Sequence, residues 1–321
     1  MILFILKRIV SLDNKTTPKK RISLFKRSPQ EINFMITQRD LDILISINKY
    51  RYLSTNQVHN LLFSDNTTLQ SARRRLKYLF HHKYIGRVIP YIQPGVNNGI
   101  TAYFLDKTGS NYLKELGHKV KLWSKAKRIK HRNLSHALAL SEFCISFDKA
   151  VEKTPELVIE KFIPDFEMKS SLDKSFGNRR YTLYTEVIHS SSQKSYTVYP
   201  DALILISIEL KGKTYKRLIF LEIDMGTMGM DKLRDKLIGY KLYLDKKHHL
   251  KYLQAENFRL LFQTTSPKRA ENIKNTFADM KGADLVWITD ENLVNQDTIL
   301  NKDIWRDTQG IPHCIYKPNV D

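Results

Sequence analysis

The stretch Thr68-Leu69-Gln70-Ser71-Ala72-Arg73-Arg74-Arg75-Leu76-Lys77-Tyr78-Leu79 places its apolar residues, Leu69, Ala72, Leu76 and Leu79, three and four positions apart. That spacing gives an amphipathic helix, with Gln70, Arg73, Arg74 and Lys77 sharing the outward side. Two capped helical segments precede it. Thr37 starts the first, with Asp40 in its opening turn and Leu41, Ile43, Leu44, Ile45 and Ile47 turned inward. Ser54 and Gln57 form a capping box for the second, which buries Val58, Leu61 and Leu62. Ser64 to Thr67 make the next turn and cap. Two β-rich segments follow, Ile85–Ile92 and Thr101–Leu105, joined by the turn-rich Pro94–Gly99. Three short helices followed by a hairpin are the order of a winged helix-turn-helix, which lays its third helix in the major groove of DNA. On that reading Gln70 and Arg73 reach base edges, Arg74, Arg75 and Lys77 meet phosphates, and Arg87 touches the backbone beside the wing. Cations in the last turns of a helix also suit its dipole, so a solvated basic face is the competing reading. Thr108 is expected to cap a further helix through Leu116, ended by Gly117.

The whole chain of 321 residues carries a net charge of +20, which favours a polyanionic partner, most often nucleic acid, and with the winged-helix order double-stranded DNA. A hydrophobic share of 42% suffices for real cores. Cys144 and Cys314 alone cannot build a zinc site or a disulfide framework. The apolar start, Met1–Val10, holds Lys7 and Arg8 and is too short for a signal sequence. No stretch reaches the length of a membrane span. The expectation is a cytoplasmic protein with no membrane partner. Its expected layout is a basic flexible arm over 1–35, a winged helix over 36–117, a basic linker over 118–132, and an α/β domain with a central mixed sheet over 133–321. A long helix from about Asn133 to Glu152 opens that domain. Leu157–Ile163, Ser195–Ile208, Lys216–Asp224, Phe258–Thr264 and Asp284–Ile288 read as strands, Asp231–Asp245 and Pro267–Lys281 as helices, and 168–194 as an excursion or long hairpin.

Two of those strands carry acids. Tyr199-Pro200-Asp201 opens a nearly continuous apolar strand, and Leu218–Asp224 ends another with Glu222 and Asp224. Paired about Lys211-Gly212, they bring Asp201 beside Glu222 and within reach of Asp224, and period-two alternation puts the last two on one face. Three buried like charges need neutralising, and Mg²⁺ with oxygen ligands would do so and activate water for phosphodiester cleavage. The alternative is that these acids sit at strand ends and pair with Lys216, Arg217 or Lys232. Lys232 and Lys236 are four apart on the following helix, where either would lean over the acids. Glu142 and Glu160 are weaker ligand candidates.

With Pro200-Asp201, Glu222-Ile223-Asp224-Met225-Gly226-Thr227, and Lys236 four residues before Tyr240, the chain resembles the replication-relaxation family of bacterial mobile elements over roughly residues 36–290. The resemblance implies a role in plasmid replication and DNA relaxation. The second half is also similar to the restriction-endonuclease fold of the PD-(D/E)XK nucleases, through Asp201 and Glu222. It departs where a lysine should follow, because Asp224 stands there, and Lys232 or Lys236 would have to replace it from the helix. Relaxases with a histidine triad are a poor match. His81-His82 and His248-His249 splay apart, and His131 and His136 lie on different helix faces.

Two functions stay open on the residues. One is an initiator or relaxation protein that nicks DNA with Mg²⁺ held by Asp201, Glu222 and Asp224, with Lys236 stabilising the transition state. The other is a non-catalytic replication or transcription regulator whose nuclease-like domain is a scaffold for a second copy or for other replication proteins.

Overall fold

The computed structural model describes residues 26–28, 34–63, 67–88, 100–120, 129, 131–169, 177–253 and 257–317. Helix α1, Gln38–Tyr50, starts at Thr37, whose amide donates to Asp40 Oδ2 at 2.8 Å, and buries Ile43, Leu44 and Ile47. A two-residue strand β1, Leu53–Ser54, leads into α2, Thr55–Leu62. The Ser54–Gln57 capping box forms as expected, with reciprocal hydrogen bonds of 2.9 and 3.2 Å. Helix α3, Leu69–His81, buries Ala72, Leu76 and Leu79. Strands β2, Ile85–Val88, and β3, Ala102–Leu105, follow; both pair antiparallel in the order β1-β3-β2. The joining loop, 89–99, lies outside the described residues. Helix α4, Lys107–Glu115, is capped by Asp106 rather than Thr108, because the Asp106 carboxylate accepts from the first amide of the helix.

Most of the expected arm, 1–25 and 29–33, lies outside the described residues. The rest of it is fastened down. Arg27 donates to the Phe80 carbonyl at 2.9 Å and pairs with Asp106 at 2.6 Å, and Phe34 stacks on His82 with ring centroids 4.9 Å apart.

Helix α5, His131–Glu152, begins two residues before the expected start and ties the two halves together. Leu134 and Leu138 pack with Tyr52, Ala102 and Phe104. Gln57 Nε2 donates to the Leu138 carbonyl at 2.9 Å, and the Tyr50 hydroxyl binds Asp148. Leu140, Phe143 and Phe147 share one cluster with Ile43 and Leu44 on one side and Ile204, Ile219 and Leu221 on the other. The segment expected as a linker between 117 and 133 therefore marks no break in packing; of it, 121–128 and 130 are not described.

The second half is a mixed α+β unit. It runs β4 (Leu157–Pro164), β5 (Thr185–Ile188), β6 (Ser195–Val198), β7 (Ala202–Leu210), β8 (Lys213–Asp224), α6 (Met230–Asp245), β9 (Arg259–Thr264), α7 (Pro267–Phe277), β10 (Val286–Asp290), β11 (Trp305–Arg306) and β12 (Pro312–His313). Seven strands form one sheet in the order β12-β11-β10-β9-β8-β7-β4, with β8, β9 and β10 parallel and the flanking pairs antiparallel. The expected strand Ser195–Ile208 is two strands. Pro200 has no amide to donate, and the chain breaks around it, leaving β6 to pair with β5 in a separate hairpin. Alternation sorts β7 and β8 into two faces. Ile204, Ile206, Ile219 and Leu221 share the α5 cluster, whereas Leu203, Leu205, Leu218 and Phe220 cluster with Leu233, Leu237 and Tyr240 of α6 and with Ile273 and Phe277 of α7.

Candidate functional site

The β7–β8 hairpin turns through Lys211 and Gly212, both at positive φ (50° and 73°), the conformation a two-residue hairpin turn requires. Its register pairs Ala202 with Leu221, so Asp201 stands at the mouth of the hairpin. The Asp201 amide donates to the Leu221 carbonyl at 2.9 Å, and Asp201 Oδ2 accepts from the Ile223 amide at 2.7 Å. Glu222 points towards α6, where it accepts from Lys236 and from the Tyr240 hydroxyl at 2.5 Å. Lys232 is exposed; of the two lysines, Lys236 is the one that turns in. Asp201, Glu222 and Lys236 thus meet as expected.

Asp224 does not join them. Arg269, in the first turn of α7, grips it with Nε at 2.6 Å and Nη2 at 3.1 Å, and Thr264 Oγ1 adds a bond of 3.1 Å. The same guanidinium donates to the Met228 carbonyl at 2.7 Å and so pins the loop that follows β8, whose Gly226 sits at φ 71°. Among the described residues, no group of three or more His, Cys, Asp or Glu side chains is arranged to hold a metal ion. The two weaker candidates lie elsewhere: Glu142 accepts from Gln57, and Glu160 pairs with Lys216.

Two residues that the sequence reading passed over complete the site. His136 of α5 places Nε2 3.1 Å from Asp201 Oδ2. Asp165 follows Pro164 at the end of β4, and its amide donates to the Asp201 carbonyl at 2.8 Å. Pro164-Asp165 repeats the dipeptide Pro200-Asp201, and the antiparallel pairing of Pro164 with Ala202 brings the two copies together. That repeat was a legible signal for Asp165. Nothing local marked His136, because its partner is 65 residues away in sequence.

Burial and pairing compete at each group of the site. Burial pushes the Glu222 carboxyl up to about 7, with Asp201 adding to the rise, although Lys236 opposes both. Burial and Asp201 likewise raise Asp165 to about 6. At Asp201 burial is outweighed by His136, which holds the carboxyl below its usual range. Burial works to lower His136, but Asp201 prevails and lifts it to about 9. A buried Lys236 ammonium is kept charged by Glu222 and Asp201.

These groups line a cavity of about 530 Å³. Its walls come from α5 (Asn133, His136), the ends of β4, β7 and β8 (Asp165, Phe166, Asp201, Glu222), and the C-terminal end of α1 with the turn after it (Tyr50, Arg51, Tyr52).

The second feature is α3. Gln70, Arg73, Arg74 and Lys77 are exposed, and among the described residues no acidic side chain pairs with Arg73, Arg74 or Lys77. Arg75, expected at phosphates, turns inward instead. It makes a bidentate pair with the fully buried Asp40 and lies over Phe34 at 5.0 Å. Arg87, expected beside the wing, lies half-buried 4.1 Å over the Phe80 ring. Both are drawn in by aromatic faces and, for Arg75, by a carboxylate that burial leaves in need of a partner.

A family model described as replication-relaxation matches residues 44–255. No curated protein and no solved structure matches the chain. No helix among the described residues is long and apolar enough to cross a membrane.

Proposed function

From the chain's membership of the replication-relaxation family, we propose that it acts in replication and relaxation of mobile-element DNA, binding the duplex through α3 and nicking one strand at Asp201 and Glu222. The observation that carries the nicking reading is the convergence of Asp201, Glu222 and Lys236 on one wall of a cavity large enough to admit a phosphodiester. In this reading the first half is a winged helix-turn-helix and the second a restriction-endonuclease-like domain. The helix–helix–helix–hairpin order and the exposed Gln70, Arg73, Arg74 and Lys77 support the first. The Pro-Asp turn beside an acidic strand supports the second.

The donor set fits Mg²⁺. This ion is commonly bound through one or two carboxylates, with water and substrate phosphate completing its shell, so Asp201 and Glu222 suffice without Asp224. Bound there, the ion would supply charge for the phosphoryl oxygens and an acidified water. The residues of the chain do the rest. Lys236 orients Glu222 and brings positive charge to the developing phosphoryl oxyanion. Tyr240 is fully buried and bonded to Glu222, so it fixes that carboxylate rather than attacking DNA. Arg269 takes Asp224 out of the ligand set and holds the 225–229 loop.

A second reading has its own observation. Asp201, Glu222 and Asp224 each already face a cation of the chain, His136, Lys236 and Arg269. A fully paired acid set suits a scaffold for a second copy or for other replication proteins. Supercoiled plasmid carrying the cognate origin separates the two. Conversion to open circles that needs both Mg²⁺ and Glu222 is the expected result. Intact DNA binding with no conversion at any Mg²⁺ concentration would leave the scaffold reading standing.

A further inference from the structure

We infer that Arg51, from the DNA-binding half, is a phosphate-gripping residue of the acidic site in the other half, where it holds a DNA phosphodiester beside Asp201 and Glu222. The inference rests on the nuclease reading of that site.

The backbone at Arg51 is strained. Its φ is 72° and its ψ is −52°, and the Tyr52 amide donates to the Tyr50 carbonyl at 2.9 Å across it. This is a three-residue γ-turn of the positive-φ kind, rare for any residue with a side chain. Glycine would adopt it freely; arginine is held there by its surroundings. Ser141 Oγ of α5 lies 3.2 Å from the Tyr50 carbonyl oxygen and 2.9 Å from that of Tyr52, and the Tyr50 hydroxyl is tied to Asp148. A strained non-glycine residue held this firmly at a cavity wall points to function.

The turn determines where the side chain lies. The guanidinium carbon is 5.3 Å from the Tyr52 ring centroid and 5.4 Å from that of Phe166. Arg51, Phe166, Asp165, Asp201 and Glu222 all line the same cavity. The charge of Arg51 acts against the rise in the Asp165 carboxyl that burial and Asp201 impose. Arg51 also shares a side-chain hydrogen bond with Tyr52, and a guanidinium has five N–H donors in a fork that matches phosphate geometry.

The site has a use for this cation. A phosphodiester entering it approaches three carboxyls, those of Asp165, Asp201 and Glu222, so a cation beside Lys236 and His136 offsets more of the repulsion. Arg51 adds positive charge from the turn after α1.

The test uses the full chain as wild type, R51G, R51A and R51K. Four quantities are read: melting temperature, duplex binding by gel shift, Mg²⁺-dependent nicking, and binding of the 5′-phosphorylated dinucleotide pTpT by ligand-observed NMR. R51G is expected to melt above R51A, since both lose the side chain and only glycine relaxes the turn, and to bind duplex within twofold. It should nick at least tenfold more slowly and bind pTpT at least tenfold more weakly, with R51K recovering part of both. R51G that melts no higher than R51A overturns the argument from strain. R51G that nicks within threefold of wild type, or wild type that binds pTpT no better than R51G, overturns the role of Arg51. If wild type nicks nothing but its pTpT binding still depends on Arg51, the nuclease reading fails and the phosphate site stands.

Discussion

Residues 1–132 hold 26 Lys and Arg against 7 Asp and Glu, whereas residues 133–321 hold 27 against 26. Nearly the whole excess of +20 therefore belongs to the half that carries α3. The halves use a similar number of cations in opposite ways. On α3, Arg73, Arg74 and Lys77 stand exposed, and their charges add into a field that reaches a polyanion through solvent. In the second half the key cations are drawn in and spent one by one on buried acids: Lys236 on Glu222, Arg269 on Asp224, His136 on Asp201. An unpaired surface charge acts at long range and is screened by salt, while a paired buried charge acts over a few ångströms and specifies geometry.

The contrast is broken most decisively at Glu222. E222Q keeps an acceptor for Tyr240 and should lower nicking on the order of 10³-fold while duplex affinity stays within threefold. Equal losses in both assays would mean that the halves do not divide binding from chemistry. Next in size is Arg75, the one cation of the α3 run that behaves like those of the second half. R75A leaves Asp40 buried without its partner and should destabilise the fold by about 3 kcal/mol in a denaturant melt. R73A with R74A should leave that melt unchanged within about 0.5 kcal/mol. The same double variant should weaken duplex binding by about thirtyfold, or about 2 kcal/mol, and reduce the slope of log affinity against log salt by about 2. An unchanged slope would take α3 away from the phosphates.

The smallest effect concerns pH. His136 titrates at about 9 in the folded chain against a usual value of 6.5, so folding favours its protonated form. The stability it lends is complete below about pH 6.5 and is lost as pH rises towards 9. With the side chain 28% exposed, the loss should be about 1–2 kcal/mol after allowance for solvent screening. H136Q should flatten the fall in melting temperature across that interval; an unaltered pH profile would show that the pairing with Asp201 contributes nothing.

Much of the fold was legible because its signals are local. The Ser54–Gln57 box, the α3 stripe, the hairpin about Lys211-Gly212, and the pairing of Asp201 with Glu222 all follow from spacing within about twenty residues. The cap at Asp106, the split of β6 from β7, and the short strands β11 and β12 turn on single hydrogen bonds or two-residue contacts, which periodicity does not register. The partners of the acids were harder still. Arg269 and His136 come from helices and Arg51 from the turn after α1, all far along the chain from the acids, and no pattern around them differs from that of a solvated cation.

By itself, the sequence determined the order of the longer helices and strands, the place of the excess charge, and the two strands that bring Asp201 to Glu222. These rest on side-chain periodicity and chain connectivity, which act over a few residues. Only the tertiary structure decided which charges stay in water and which are buried in pairs. That choice sends Arg75 to Asp40, Arg269 to Asp224 and Arg51 to the cavity wall. Its physical reason is desolvation: a buried charge needs a partner, and which partner lies within reach is set by how α5, the sheet and the first three helices pack together.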